Sequence, residues 1–274
     1  MNSVSPAAQT TDQTQHPPRL GFAVMVGEDG HVPEALLIGL KAAGYDGIEP
    51  NCYHPRHLDR IVEQCRKVGI AVHALPTGRW MNVAEADEDY DRYTEKAFEV
   101  LRSGAAIAAS LDVPLIFGLI RGRGSIPSAA AEQFLSSVIP RLMQATPRLK
   151  VLVEPIAAGE AAWPHTQEEG AQLLERLNLL NVKLLADSYH IARSGEDPHI
   201  ERYREWIGHL HIRDSEKQIP TTRTPEYEAV YASIVRLWRE ENHVLSFEPN
   251  IELRHTLEQA RAGAHWIRDA RARF

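Results

Sequence analysis

Four ionisable side chains each close a short apolar run: Glu154 in VLVE, Asp187 in LLAD, His211 in GHLH and Glu248 in LSFE. They follow one another at intervals of 33, 24 and 37 residues. Taken singly, an acid at the end of such a run reads as a helix N-cap or a loop ion pair. Taken together, three carboxylates and an imidazole brought to one edge would repel unless a cation or shared protons neutralised them. Carboxylate oxygens with one imidazole suit Mn²⁺, Mg²⁺ or Co²⁺; Zn²⁺ and iron also accept these ligand types. One divalent metal, Mn²⁺ first, is therefore the expected cofactor.

The elements that would position these residues alternate along the chain. Apolar runs at 20–26, 46–51, 70–76, 113–120, 150–155, 182–190, 208–214 and 243–249 read as strands. Stretches with helical periodicity follow each of them, at 32–44, 57–69, 85–109, 129–144, 166–178, 199–207, 226–242 and 256–272. Gly44 is the expected C-cap of the first. Eight strand–helix units with no break in composition predict one α/β domain, a (β/α)8 TIM barrel over 19–274, with a disordered polar tail over 1–18. In that fold the C-terminal strand ends form the active-site rim, which is where the four residues fall. No GxGxxG or GxxxxGK[ST] follows a strand, so a nucleotide fold is not indicated.

Bulk composition narrows the partners. The chain has 274 residues, a net charge of −7 and a hydrophobic fraction of 43%. A negative chain offers nucleic acid or an anionic membrane no general attraction. There is no apolar run of membrane-spanning length, and the start lacks the pattern of a signal peptide. Cys52 and Cys65 are too few for a disulfide scaffold. A cytoplasmic protein acting on a small molecule is the expectation, with a homo-oligomer left open.

At VLVEP, LLADSYH, HLHIRD and LSFEP the sequence resembles the xylose-isomerase-like TIM-barrel superfamily, in its sugar phosphate isomerase/epimerase branch. The resemblance spans about Leu20 to Phe274 and is most specific at these strand ends. It implies that Glu154, Asp187, His211 and Glu248 bind the metal and that Glu154 and Glu248 also act as the acid/base pair. It implies substrate contacts from His190, three residues after the aspartate, and from Glu160 in EPIAAGE. The implied reaction is isomerisation or epimerisation of a sugar-like α-hydroxy carbonyl compound, by proton transfer through an enediolate that the cation stabilises. A dehydratase or lyase acting on a keto-sugar, keto-inositol or keto-glycoside is the alternative. The chain departs from the free-ketose epimerases at Ala157-Ala158-Gly159, where they carry Asn-Arg, and at Lys217, where they carry a substrate-binding arginine. These departures point to a different substrate. The endonuclease IV branch is disfavoured, because strand four ends in IFGLIRG without a histidine and no DxH follows His211.

Position alone adds further candidates. Arg121, with Arg123, follows strand four and could clamp a phosphate or carboxylate. His73 and Glu49 end strands three and two, where each could line the pocket or be a satisfied buried polar group. His54, Trp80 and Trp163 lie in loops on the same face; packing is the simpler role for both tryptophans. His209 is read as turned away from His211 and structural.

Overall fold

Short runs of aliphatic and aromatic side chains build one parallel sheet in the computed structural model, which describes residues 18–220, 224–250 and 252–274. Its strands are β1 (Arg19–Met25), β2 (Gly47–Asn51), β3 (Ala71–Val72), β4 (Leu75–Pro76), β5 (Pro114–Phe117), β6 (Lys150–Val153), β7 (Val182–Asp187), β8 (Ile207–Ile212) and β9 (Val244–Phe247). Their order is β3-β2-β1-β9-β8-β7-β6-β5-β4, every pair parallel. The third strand expected over 70–76 is thus two. β3 pairs with β2 and β4 with β5, so this one segment passes from one neighbour to the other and brings the sheet round into a barrel. The tail expected over 1–18 lies, Pro18 apart, outside the described residues.

The helices are α1 (Glu34–Ala42), α2 (Leu58–Val68), α3 (Tyr90–Leu111), α4 (Ser128–Ala145), α5 (Gln167–Leu177), α6 (Ser188–Ser194), α7 (Pro225–Glu241) and α8 (Thr256–Arg273). Side-chain oxygens of Asp89 and Thr166 cap α3 and α5, satisfying first-turn amides that have no helical partner. Gly44, with φ of 99°, takes the left-handed position after the Ala43 cap of α1. The helix expected over 199–207 is instead a 3-10 turn at Ile200–Tyr203, and α6 starts earlier, directly after β7. The cause is Asp187, whose carboxylate accepts from the Tyr189 and His190 amides and turns the chain into a helix at once.

Apolar packing falls into two compartments. The larger lies between sheet and helices; the smaller lies within the barrel and consists of Ala74, Ile116, Leu152 and Leu185. Elsewhere the interior is polar, with Glu49, His73, His209 and Ser246 all buried. Gly21 and Gly47 make room for the His73 ring, which a Cβ at either position would strike. Among the described residues, no helix is long and apolar enough to cross a membrane.

Candidate active site

Backbone pairing carries the rim residues to one level. The Glu154 amide donates to the Phe117 carbonyl and the Glu248 amide to the Ile212 carbonyl, so each prolongs its strand by one residue. Asp187 closes β7 directly opposite His211 on β8. One ligand atom from each of Glu154, Asp187, His211 and Glu248 lies within 4.8 Å of the other three. His211 Nδ1 is 3.8 Å from Asp187 Oδ2 and 3.6 Å from Glu248 Oε2. These three atoms are buried and none has a hydrogen-bond partner.

Buried polar atoms without hydrogen bonds are costly, and here they converge with the donor set a hard divalent cation accepts. The residues fit such an ion. Asp187 also answers the simpler reading, because Oδ1 caps α6 while Oδ2 turns to His211 and Arg213. Gly118, just past β5, leaves space for Glu154; a Cβ there would collide with its carboxylate.

Two features correct the reading of strand β8. Residues two apart on a strand share a face, so His209 points inward with His211. Both rings meet Glu49, His209 Nε2 at 2.6 Å from Oε1 and His211 Nε2 at 2.9 Å from Oε2. The same periodicity points to Arg213, a site residue that the strand-end pattern alone did not reveal. Its guanidinium lies 3.0 Å from Asp187 Oδ2 and 2.9 Å from Glu248 Oε2, as charge contacts rather than aligned hydrogen bonds.

These neighbours separate the carboxyl groups. Burial, reinforced by the Glu248 and Asp187 charges, pushes Glu154 up to about 8. Burial also opposes ionisation of Asp187, but Arg213 and then the two histidines outweigh it and hold the group at about 2. Glu248 is likewise lowered against its burial, by Arg213 and His211. His211 is raised well above the usual histidine range: burial works against the charge, and Glu49 and Glu248 more than compensate. Glu154 therefore tends to hold a proton beside an ionised Glu248, the divergence expected of an acid and a base.

The cavity above these groups measures 280 Å³ and is lined by Met25, Asn51, Arg79, Ile116, Glu154, Ile156, Glu160, His190, His211, Arg213, Lys217 and Glu248, among others. His190 sits on α6, its Nδ1 taking the Ala157 amide at 3.3 Å. Its Nε2 is 3.0 Å from the Arg213 guanidinium and 3.8 Å from Glu154 Oε1. Burial holds this ring at about 4, hence neutral. Glu160 accepts from Tyr189 Oη at 2.6 Å and from Lys217 Nζ at 2.8 Å. Burial raises its carboxyl, but these hydrogen bonds lower it further. Lys217 itself stands at positive φ and lies over the Tyr189 ring.

Other candidates do not reach the cavity. Arg121 is fully buried and donates to the carbonyls of Phe117, Gly118, Ala162, Trp163 and Pro164. Instead of clamping an anion, it ties the loop after β5 to the loop after β6. Arg123 is exposed. His73 pairs with Asp46 at 2.7 Å near the opposite end of the barrel, beside Gly21 and Gly47. It lies too deep to meet a ligand at the rim. His54 caps a 3-10 turn, and Trp80 and Trp163 pack against the apolar core.

Residues 39–270 match the family model described as "Xylose isomerase-like TIM barrel". No curated protein matches the chain. Among solved structures, D-allulose 3-epimerase from Methylomonas sp. superposes with a TM-score of 0.74 at 19% identity, covering 93% of this chain and 99% of the other. The 3-keto-D-glucoside 4-epimerase from E. coli gives 0.66 at 16% identity, covering 92% and 100%. An L-ribulose 3-epimerase gives 0.67 at 17% identity, covering 94% and 97%.

Proposed function

This chain belongs to the xylose isomerase-like TIM barrel family, and from that premise we propose that it is a divalent-metal-dependent isomerase or epimerase acting on a sugar or sugar-like α-hydroxy carbonyl compound. The observation that carries the proposal is the convergence of Glu154, Asp187, His211 and Glu248, each with a ligand atom within 4.8 Å of the other three, beside a cavity that Glu154, His211 and Glu248 line. Glu154, Asp187, His211 and Glu248 would hold the ion, Mn²⁺ before Mg²⁺, Co²⁺ or Zn²⁺. When bound, such an ion polarises a carbonyl and offsets enediolate charge.

The protein's own groups supply the rest. Glu248, ionised beside Arg213, accepts the proton α to the carbonyl. Glu154, the other carboxyl group of the pair, returns a proton to the opposite face or the adjacent carbon. His190 and Arg213, whose guanidinium lies 3.0 Å from His190 Nε2, both line the cavity, and the Arg213 N–H groups can grip one substrate oxygen. Glu160 and Lys217, bound to each other on the cavity wall, offer an acceptor and a donor for hydroxyl groups. A cavity of this size suits one small molecule rather than a polymer. The reading includes a cytoplasmic location with neither nucleic-acid nor membrane partner; two buried free cysteines and the negative net charge support it.

Elimination from a keto-sugar or keto-glycoside would begin with the same proton abstraction, and Arg213 favours keeping it as a second reading because a guanidinium can hold a departing oxygen. Both readings are tested with Mn²⁺-loaded protein in D₂O and a panel of ketoses and keto-sugars. Deuterium uptake at the carbon next to the carbonyl is expected, with loss in Glu154→Gln. A product absorbing in the ultraviolet would assign elimination. No uptake from any compound, or Glu154→Gln equal to wild type, refutes the proposal.

A further inference from the structure

Strand β8 turns two histidines inward, and both end on one carboxylate. Glu49 reaches them across the interior from β2, which β1 and β9 separate from β8. Its Oε1 accepts from His209 Nε2 and from the Ser246 hydroxyl, and its Oε2 from His211 Nε2. All four side chains are buried, with no more than 2% exposure. A carboxylate at Nε2 keeps a proton on that nitrogen, so Nδ1, the atom facing Asp187 Oδ2 and Glu248 Oε2, is the one that gives up its proton to take an ion.

We infer that Glu49 is the positioning residue of the ligand set, fixing the rotation and tautomer of His211 so that Nδ1 faces the ion. This rests on the metal reading above. His209 and Ser246 hold the second oxygen and stop the carboxylate from rotating away. The three donors Glu49, His209 and His211 also lie within 4.8 Å of one another, a spacing that would suit an ion of their own. Their state of satisfaction decides between the two roles. Every atom of this trio that faces the others is already hydrogen-bonded, whereas in the rim set His211 Nδ1, Asp187 Oδ2 and Glu248 Oε2 make no hydrogen bond, the two oxygens meeting only the Arg213 charge. The trio therefore supports the ion's ligand and does not bind a second ion.

The test is Mn²⁺ titration calorimetry on metal-free wild type, Glu49→Gln and His209→Gln, each checked for folding by its melting transition. Glu49→Gln is expected to weaken Mn²⁺ binding about 10- to 100-fold, the usual cost of losing a carboxylate behind a ligating histidine. His209→Gln, which leaves Glu49 in place but less constrained, is expected to weaken it about 3- to 10-fold. The affinity readout separates positioning from a merely structural role, which would lower the melting temperature and leave Mn²⁺ affinity alone. Wild-type affinity in the folded variants overturns the inference, as does a second Mn²⁺ equivalent in wild type that Glu49→Gln abolishes. Should Glu49→Gln not fold, His209→Gln decides by itself. A blank wild-type titration is a separate result: it removes the metal reading, and the inference with it.

Discussion

Arg213→Met tests the electrostatics of the rim most directly, because it keeps the length of the side chain and removes its charge. The guanidinium stands 3.0 Å from Asp187 and 2.9 Å from Glu248 with only 8% of the residue exposed. Deleting one partner of a buried ion cluster costs about 3–5 kcal/mol, since the remaining charges lose their compensation. At about 2–4 °C per kcal/mol for a chain of this size, metal-free Arg213→Met should melt about 6–20 °C below wild type. A divalent cation supplies the missing positive charge, and without the guanidinium it no longer faces a like charge. Ligand stabilisation grows as RT ln(1 + [L]/Kd), so a fixed Mn²⁺ concentration should raise the melting temperature more in the variant than in wild type. Differential scanning calorimetry in EDTA and in Mn²⁺ gives both quantities. An EDTA melting point within about 2 °C of wild type, well inside the expected drop, or equal Mn²⁺ shifts in the two proteins, would refute the reasoning.

Three further outcomes are expected. Arg121→Met strips hydrogen bonds from buried carbonyls of the loops after β5 and β6, so urea unfolding should report a loss of about 3 kcal/mol or more with Mn²⁺ affinity changed less than about twofold; a large affinity loss with unchanged stability would restore a ligand role. Gly118→Ala drives a methyl group into the Glu154 carboxylate, and a shift of about 1 Å in such a group costs about 100-fold in turnover, read as the deuterium-uptake rate once a substrate is found; a wild-type rate would mean that Glu154 has slack. Glu196, half-buried away from the rim, is raised by its burial from 4.5 to about 7. Its folded state holds the proton more tightly, so its contribution to stability is complete below about pH 4.5 and lost as pH rises through about 7; Glu196→Gln should flatten that slope by about 2 kcal/mol after discounting partial exposure, measured by urea unfolding across the window.

Much of this architecture was legible because strand and helix periods differ and each rim residue ends an apolar run. The sequence reading marked Glu154, Asp187, His211 and Glu248 from that pattern, and the structure brings these four together. Arg213 stayed hidden because it lies one residue past the end of β8, where no apolar run flags it; counting two from His211 would have found it, and would have corrected the orientation of His209. Arg121 shows the reverse limit. Glycines on either side made a flexible anion loop plausible, and nothing local reveals that carbonyls some forty residues away absorb its donors. The division of the third strand was equally invisible, since pairing partners are a property of neighbours and not of the segment itself. The shift of α6 toward Asp187 is a case where capping chemistry was readable but the longer polar pattern at 199–207 drew attention away.

The two oxygens of Asp187 serve different masters, one fastened to the start of α6 and the other turned to His211 and Arg213. Folding and chemistry thus share one side chain: Asn would keep the cap and lose the charge, while Ala would lose both. Because α6 carries Tyr189 and His190, whatever binds the second oxygen also steadies the wall that would recognise the rest of the molecule. An inhibitor or engineered variant that disturbs this residue should therefore alter selectivity along with rate, a link that mutational surveys scored only for turnover would overlook.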